Sequence, residues 1–403
     1  MLQGKQIILG VCGGVAAYKA AELLRLLVKA GATVHVIMTR GAQEFITPLT
    51  FQTLSGNPVH TELFNLIAER EIGHISLADR ADLFIVAPAT ANCIGKIAGG
   101  IADDMLTTTV MATKAPVLIA PAMNCNMYQN PIYSENEEKL LRHGYQLVAP
   151  VKGALACGWE GEGKLQEPAV IFEEALRRLT PQELAGRRLL VTAGPTREEI
   201  DPVRFISNHS SGKMGYALAR MAWLRGAQVT LVSGPTALPA PWGVKVVRVE
   251  SAWDMHEAVM ERAAASDVII KAAAVADYRP EARVPEKIKK SAAHLQLELV
   301  KNVDILAELG AKKTAGQLLV GFAAETTAVR DHALAKLQAK NLDLIVANDV
   351  SAVDAGFNVD TNRVRLLFRD GRDEELPLAG KDEIARQILE RIGQLFTSQT
   401  TGS

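Results

Sequence analysis

The chain has 403 residues, 48% hydrophobic and 22% charged, with a formal net charge of -1. That length suits two ordinary α/β domains, and the near-zero charge excludes a global field that recruits nucleic acid or an acidic membrane. Cys12, Cys93, Cys125 and Cys157 show no C-x-x-C spacing, which argues against zinc or a disulfide framework and for reduced thiols in the cytosol.

In chain order, short β-rich runs alternate with helical patterns. Strands are expected at Gln6–Val11, Thr33–Met38, Leu83–Ala87, Pro116–Ala120 and Tyr145–Ala149. Between the first two, Val15–Ala30 carries Leu23, Leu24, Leu27 and Val28 at helix spacing. Apolar strands separated by helices predict a parallel sheet covered on both faces. The polar stretch Thr180-Pro181-Gln182-Glu183-Leu184-Ala185-Gly186 then breaks the pattern, which restarts. Strands are expected at Arg188–Ala193, Gln228–Val232, Val244–Val249, Val268–Ala273, Leu318–Ala323 and Asp343–Ala347, and helices at Lys213–Arg225, Ala252–Ala264 and Val329–Lys340. Both halves enter the second strand alike, through Gly31-Ala32-Thr33-Val34 and Gly226-Ala227-Gln228-Val229. A glycine ends the helix there and a β-branched run begins the strand. Pro280–Lys301 fits neither a helix nor a central strand and reads as a long excursion from the second sheet. No apolar run approaches the ~18 residues of a membrane span, and the N-terminus has no signal-peptide pattern.

In the first half, Gly10-Val11-Cys12-Gly13-Gly14-Val15 follows a strand and opens a helix. Two readings stay open: a phosphate cradle at a helix N-terminus, or a tight α/β connection. Ala87-Pro88-Ala89-Thr90-Ala91-Asn92 also ends a strand, where its polar residues would either meet a ligand or cap the next helix. Three more stretches are Gly73-His74-Ile75-Ser76-Leu77, Pro121-Ala122-Met123-Asn124-Cys125-Asn126-Met127 and Ala156-Cys157-Gly158. Together with Ile94–Asp104, residues 1–180 resemble the flavin-dependent cysteine decarboxylases, phosphopantothenoylcysteine decarboxylases in particular.

That resemblance implies a flavodoxin-like domain over residues 1–182 that binds FMN, with Gly13, Gly14, Thr39, Ala89, Thr90 and Met123 as the cofactor residues. It implies oxidation of a cysteinyl thiol carbon by FMN, loss of CO₂ to a stabilised enethiolate, and final reduction. His74 is then the acid–base or electrostatic group, Asn124 holds the substrate carboxylate or amide, and Cys157 donates a proton from a flap. Tyr128 and Trp159 depart from the family pattern, which has Trp at the first place and a small polar residue at the second.

In the second half, Asn208–Gly215 offers hydroxyls and backbone N–H groups before a helix. It reads as a phosphate cradle or as an N-capped helix after a Ser-rich loop, and it is not a P-loop. Ala272–Tyr278 ends a strand with the carboxylate of Asp277, and Lys287-Ile288-Lys289-Lys290 sits in the excursion. With Lys301–Ile305, Gly321–Thr326 and Asn341–Asp349, these segments resemble the phosphopantothenate–cysteine ligases over about residues 186–395.

The implied domain spans residues 186–403, and the implied fold is a pair of doubly wound, Rossmann-like parallel-sheet domains. The implied substrates are 4′-phosphopantothenate, L-cysteine and CTP with Mg²⁺, joined through an acyl-cytidylate. Carried over by position, Lys287 stabilises the transferring phosphate, Asn208 acts in the second step and Arg204 contacts substrate. Lys271, Ala272, Ala273, Asp277, Val303, Asp304, Ile305, Leu306, Phe322, Lys336 and Lys340 are implied at the nucleotide, with Asp277 also the metal residue. Val303 stands where the family has Pro.

Both halves together imply two steps of coenzyme A biosynthesis in the cytoplasm, with no nucleic acid or membrane partner. The family's ligase dimers and decarboxylase trimers imply a homo-oligomer, a dodecamer. The rivals are a flavin prenyltransferase or flavin-binding regulator for the first half, and a nicotinamide-dependent reductase for the second. The motifs of Asn124 and Cys157 favour the decarboxylase, and the second half lacks G-x-G-x-x-G.

Overall fold

A computed structural model describes residues 2–63, 73–154, 158–289, 295–325, 329–349 and 359–400. Contacts divide the chain into two compact units, Met1–Pro181 and Gln182–Ser403. The polar break is anchored to the second unit: Leu184 is buried, its N–H donates to the Arg225 carbonyl at 3.0 Å, and Gln182 Nε2 donates to the Leu224 carbonyl at 2.8 Å.

In the first unit, helix Ala17–Lys29 buries Ala17, Ala20, Leu23, Leu24 and Leu27 on one face. Gly31 follows it at φ +96°, and Gly226 takes the same value after helix Lys213–Leu224. An L side chain is strained there, which is why both halves use glycine at the helix-to-strand turn. The six parallel strands lie in the order Val59–His60, Thr33–Met38, Gln6–Val11, Leu83–Ala89, Val117–Pro121, Gln146–Leu147. In chain numbering this is 3-2-1-4-5-6. The expected doubly wound class holds, in a strand order that differs from the 2-1-3-4-5 of flavodoxin itself. Hydrophobic periodicity identifies strands and does not say which become neighbours. The expected strand Tyr145–Ala149 contracts to Gln146–Leu147, so both sheet edges are two residues long, a form that resists edge-to-edge pairing.

The second sheet has eight strands, in the order Lys245–Arg248, Gln228–Ser233, Arg188–Ala193, Val268–Lys271, Leu318–Glu325, Leu344–Asp349, Thr361–Phe368, Asp373–Gly380. The first six are parallel, as the doubly wound expectation requires, and the last two add an antiparallel edge. Pro377 sits in the outermost strand, where a missing N–H costs no ladder bond. Helix Lys381–Thr400 covers this edge with Ile384, Ala385, Ile388, Leu389 and Ile392 fully buried. The excursion begins and ends as an antiparallel ribbon, Tyr278–Pro280 against Leu299–Lys301.

Both sheets reverse direction of winding beside their first strand. In the first unit the switch lies between Gln6–Val11 and Leu83–Ala89; in the second it lies between Arg188–Ala193 and Val268–Lys271. Open α/β sheets bind ligands at the strand C-termini of such a switch.

Candidate functional site

The first unit opens a cleft of about 600 Å³ at its switch point, lined by Gly13, Gly14, Thr39, Thr90 and Met123 among others. Five of the six expected cofactor residues thus come together, while Ala89 is buried behind them. Thr39 and Thr90 cap the helices that follow, accepting from Ala42 N at 3.3 Å and Cys93 N at 3.4 Å. The capping alternative for Ala87–Asn92 holds at Thr90, which also lines the cleft. Gly13 is required by close approach, since a Cβ there would stand 2.6 Å from the Gly41 carbonyl carbon. A bare-backbone turn beside a helix start is a cradle that fits a flavin's phosphate and sugar chain. Sequence reading missed Arg40, Gly41, Lys96 and Asp104 at this cleft. Lys96 pairs with Asp103 at 2.7 Å and Asp104 at 3.2 Å.

A second cleft of about 520 Å³ shares Gly14, Ala122 and Met123 with the first and adds Asn124, Ala154 and Gly163. Asn124 caps the short helix Cys125–Tyr128, its Oδ1 accepting from Asn126 N at 2.8 Å. A hairpin, Val151–Ala154 with Glu160–Lys164, packs on this turn, and Met123 N donates to the Gly163 carbonyl at 2.9 Å. Cys157 lies in sequence between the hairpin arms and falls outside the described residues. Trp159 is exposed and Tyr128 packs against Tyr133 with ring centroids 5.2 Å apart. His74, on helix Gly73–Arg80, lines neither cleft; its Nδ1 is buried with no hydrogen-bond partner among the described residues.

The second unit has a cleft of about 530 Å³ at its own switch point. One wall is Asn208–Gly215, running into the start of helix Lys213–Leu224; the other is Ala272–Val275 with Asp277. That second wall is irregular backbone, and four side chains satisfy it. Thr192 accepts from Ala273 N at 3.1 Å and Thr196 from Ala276 N at 3.0 Å. Asn208 Nδ2 donates to the Ala274 carbonyl at 3.0 Å, and Asn302 Nδ2 to the Ala276 carbonyl at 2.8 Å. Phe322 and Lys336 complete the expected set within the cleft.

Sequence reading missed Asn348, Asn362 and Lys381 in this cleft. The last two are delivered by the antiparallel strand and the final helix, for which no motif was read. Asp277 is the one carboxylate among the described lining residues, and no cluster of three or more metal-binding side chains occurs among the described residues. Val303, Asp304, Ile305 and Leu306 lie at the start of helix Ile305–Lys312 and do not line the cleft. Asp304 caps that helix and pairs with Lys340 at 2.8 Å. Arg204 and Lys287 also lie outside the cleft lining.

Lys271 points away from the cleft into the core: it is 6% exposed and its Nζ contacts Met255 Sδ at 3.7 Å. Burial pushes its ammonium down to about 7, opposed in part by the charge of Asp304. An unfolded Lys titrates at about 10.4, so between the two values the unfolded chain holds a proton that the folded chain has lost. Stability therefore rises with pH across that window and is least below it. Lys271→Met should raise Tm by several degrees at pH 6 and by much less at pH 9. Equal shifts at both pH values in thermal unfolding of the full chain would contradict a buried ammonium.

Fold and clefts together define a two-unit α/β protein with an open cleft at the switch point of each sheet. A family model described as Flavoprotein matches residues 1–180, and one described as DNA/pantothenate metabolism flavoprotein C-terminal domain matches residues 184–395. The chain is 52% identical over 406 residues to the coenzyme A biosynthesis bifunctional protein CoaBC of Bacillus subtilis (strain 168), across 100% of this chain and 99% of that one. Its identity to the protein of the same name from Escherichia coli (strain K12) is 48% over 395 residues, 97% of each chain. Among solved structures, the C-terminal domain of such a bifunctional protein is 50% identical, with TM-score 0.47, over 54% of this chain and 99% of that one. A PPC decarboxylase mutant complexed with pantothenoylaminoethenethiol is 31% identical, with TM-score 0.39, over 42% of this chain and 96% of that one.

The chain belongs to the family of bifunctional proteins of coenzyme A biosynthesis. It is a flavoprotein decarboxylase and a ligase in one polypeptide.

Proposed function

We propose that the second unit joins 4′-phosphopantothenate to L-cysteine with CTP and Mg²⁺, and that the first unit decarboxylates the product to 4′-phosphopantetheine with FMN. The observation that carries this reading is the coincidence of one switch-point cleft with each matched family segment.

In the ligase, the N–H groups at the start of helix Lys213–Leu224 and the ammonium of Lys336 face the cleft and suit a triphosphate. Mg²⁺ is commonly held by one or two carboxylates together with substrate phosphates, which suits Asp277 as the single acidic residue among the described lining. Lys287 stabilises charge on the transferring phosphate, Arg204 contacts the acyl substrate, and Asn208 orients the acyl group for attack by the cysteine amine. CTP is the nucleotide implied by the family resemblance.

In the decarboxylase, a bound flavin supplies two-electron oxidation of the substrate carbon and its later reversal. The residues of the chain do the rest. Gly13 and Gly14 admit the cofactor's phosphate, and Asn124 holds the substrate carboxylate in the adjoining cleft. Cys157 returns a proton at the last step; an ordinary thiol is mostly protonated at neutral pH, as a donor must be. His74, Arg204 and Lys287 line none of the three clefts described above, and exposed apolar side chains such as Tyr18, Leu49 and Ile132 in the first unit and Tyr278 and Leu299 in the second suit subunit contacts. A homo-oligomer that completes the sites across its interfaces accounts for both, a dodecamer if dimers and trimers combine. The metabolic role and the free thiols of Cys12, Cys93 and Cys125 support a cytoplasmic setting.

Asn208→Asp tests this assignment. A carboxylate cannot donate to the Ala274 carbonyl, and its charge opposes approach of the nucleophile. Pyrophosphate release should continue while an acyl-cytidylate accumulates, seen by mass spectrometry of acid-quenched mixtures. Ordinary turnover with no trapped intermediate would remove Asn208 from the second step.

A further inference from the structure

Asp201 has no part in the functions assigned so far, and its surroundings are unusual for a carboxylate. Its side chain is 0% exposed, in a loop that is otherwise largely accessible. Oδ1 accepts from Val203 N at 2.8 Å and Arg204 N at 2.9 Å, closing the turn that leads to Arg204 and Asn208. Oδ2 accepts from Ile288 N at 3.1 Å, 87 residues further on. Ile288 is the neighbour of Lys287. A second strap crosses the same gap, since Arg204 Nη2 donates to the Ile288 carbonyl at 2.9 Å. The approach to this point is also fastened: Val284 N donates to the Ile200 carbonyl at 3.0 Å, and Arg283 pairs with Glu199.

We propose that Asp201 is a positioning residue of the ligase, a buried clip that fixes the Lys287 backbone to the loop carrying Arg204 and Asn208. The inference rests on the reading of Lys287 as the group that meets the transferring phosphate.

The need for such a clip follows from the chain itself. The excursion around Lys287 is exposed, irregular and far in sequence from the cleft, so nothing in its local conformation sets where the ammonium stands. A long flexible side chain on an unanchored backbone loses the orientation that electrostatic catalysis requires. Anchoring the adjacent residue through both its N–H and its carbonyl removes that freedom without using the lysine's own donors. A carboxylate is the suitable anchor because its two oxygens accept from two segments at once. Burial alone would raise its pKa, but the N–H groups of Val203, Ile288 and Arg204, with the Arg204 guanidinium 3.8 Å away, bring it below the ordinary value, so it stays an acceptor on both sides.

Two variants separate the clip from the turn. In Asp201→Asn the amide oxygen can still accept from Val203 and Arg204, while the amide NH₂ faces the Ile288 N–H and cannot accept. Asp201→Ser keeps a short acceptor for the turn, is too short to reach Ile288, and removes the buried charge. The assay is pyrophosphate release from CTP by the full-length protein, with nucleotide affinity and Tm measured alongside.

The expected result is a kcat lower by about 10²-fold, the scale of a misplaced catalytic group, with CTP affinity unchanged because Asp201 does not line the cleft. Asp201→Asn combined with Lys287→Gln should be no slower than Lys287→Gln alone, because a clip has nothing to position once the ammonium is gone. A residue that only stabilises the fold would instead lower Tm and CTP affinity and would slow the double variant by the product of both effects. That outcome, or a near-normal kcat in both Asp201 variants, overturns the proposal. If Lys287→Gln alone leaves pyrophosphate release unchanged, the role of Lys287 itself falls and takes the clip with it.

Discussion

Lys287→Gln should fold normally, keep its flavin, decarboxylate supplied phosphopantothenoylcysteine, and fail at the first ligase step. Lys287 is exposed in a polar, irregular stretch, and a surface substitution of that kind usually changes stability by no more than about 0.5 kcal/mol. Its catalytic cost is of another order. Attack of a carboxylate on phosphorus gathers charge on phosphate oxygens, and removal of one preorganised donor costs about 10²–10³ in rate. Pyrophosphate release should fall by that factor, and no acyl-cytidylate should appear. The Asn208→Asp variant differs, because it blocks only the later attack by cysteine. The competing outcome is a solvated lysine cluster in which Lys289 or Lys290 substitutes for Lys287; pyrophosphate release close to the unsubstituted rate would establish it.

Gly13→Ala should purify without flavin and lose decarboxylation while ligase activity persists. The added methyl would stand 2.6 Å from the Gly41 carbonyl carbon and 2.7 Å from its oxygen, both backbone atoms that no rotamer change can move aside. The turn and the Thr39–Gly41 segment must separate, and these are two walls of the same cleft. The converse change is mild, since a Cβ on Gly41 meets only Gly13 backbone atoms, the nearer at 3.5 Å. Gly41→Ala should therefore retain the cofactor. Flavin absorbance per protein, followed by a fluorescence titration with FMN, reads both variants. A yellow Gly13→Ala protein with ordinary FMN affinity would place the cofactor elsewhere.

Local signals explain what could be read before the structure. Strands Gln6–Val11, Thr33–Met38 and Arg188–Ala193 occupy the residues expected, because each is a nearly continuous apolar run bounded by turn residues. The glycine turn at Gly13–Gly14 and the segment Asn208–Gly215 were legible because strand end, loop and helix start are contiguous there, and Ala272–Asp277 because it directly follows the apolar strand Val268–Lys271.

What escaped has a common cause. Asp373–Gly380 is an edge strand, largely exposed, rich in charge and containing proline, and its inner neighbour Thr361–Phe368 interleaves Asn362, Arg363 and Arg365 with its apolar residues, so the apolar contrast of both is weak. Missing them meant missing Asn362 and Lys381, which reach the ligase cleft only through that edge. Asp201 was passed over for another reason: in sequence Asp-Pro reads as a turn, and its bond to Ile288 exists only after the excursion folds back. The strand order of the first sheet was equally hidden, because neighbours are chosen by packing between distant segments.

The two-step account is tested most directly by one time course. Full-length protein is given 4′-phosphopantothenate, L-cysteine, CTP and Mg²⁺, and the quenched mixture is followed by mass spectrometry. The account predicts that phosphopantothenoylcysteine appears first, with CMP and pyrophosphate, and is then replaced by a species lighter by one CO₂, 4′-phosphopantetheine. Accumulation of phosphopantothenoylcysteine with no later loss of CO₂ by the flavin-loaded protein, or failure to form it at all, would contradict the account.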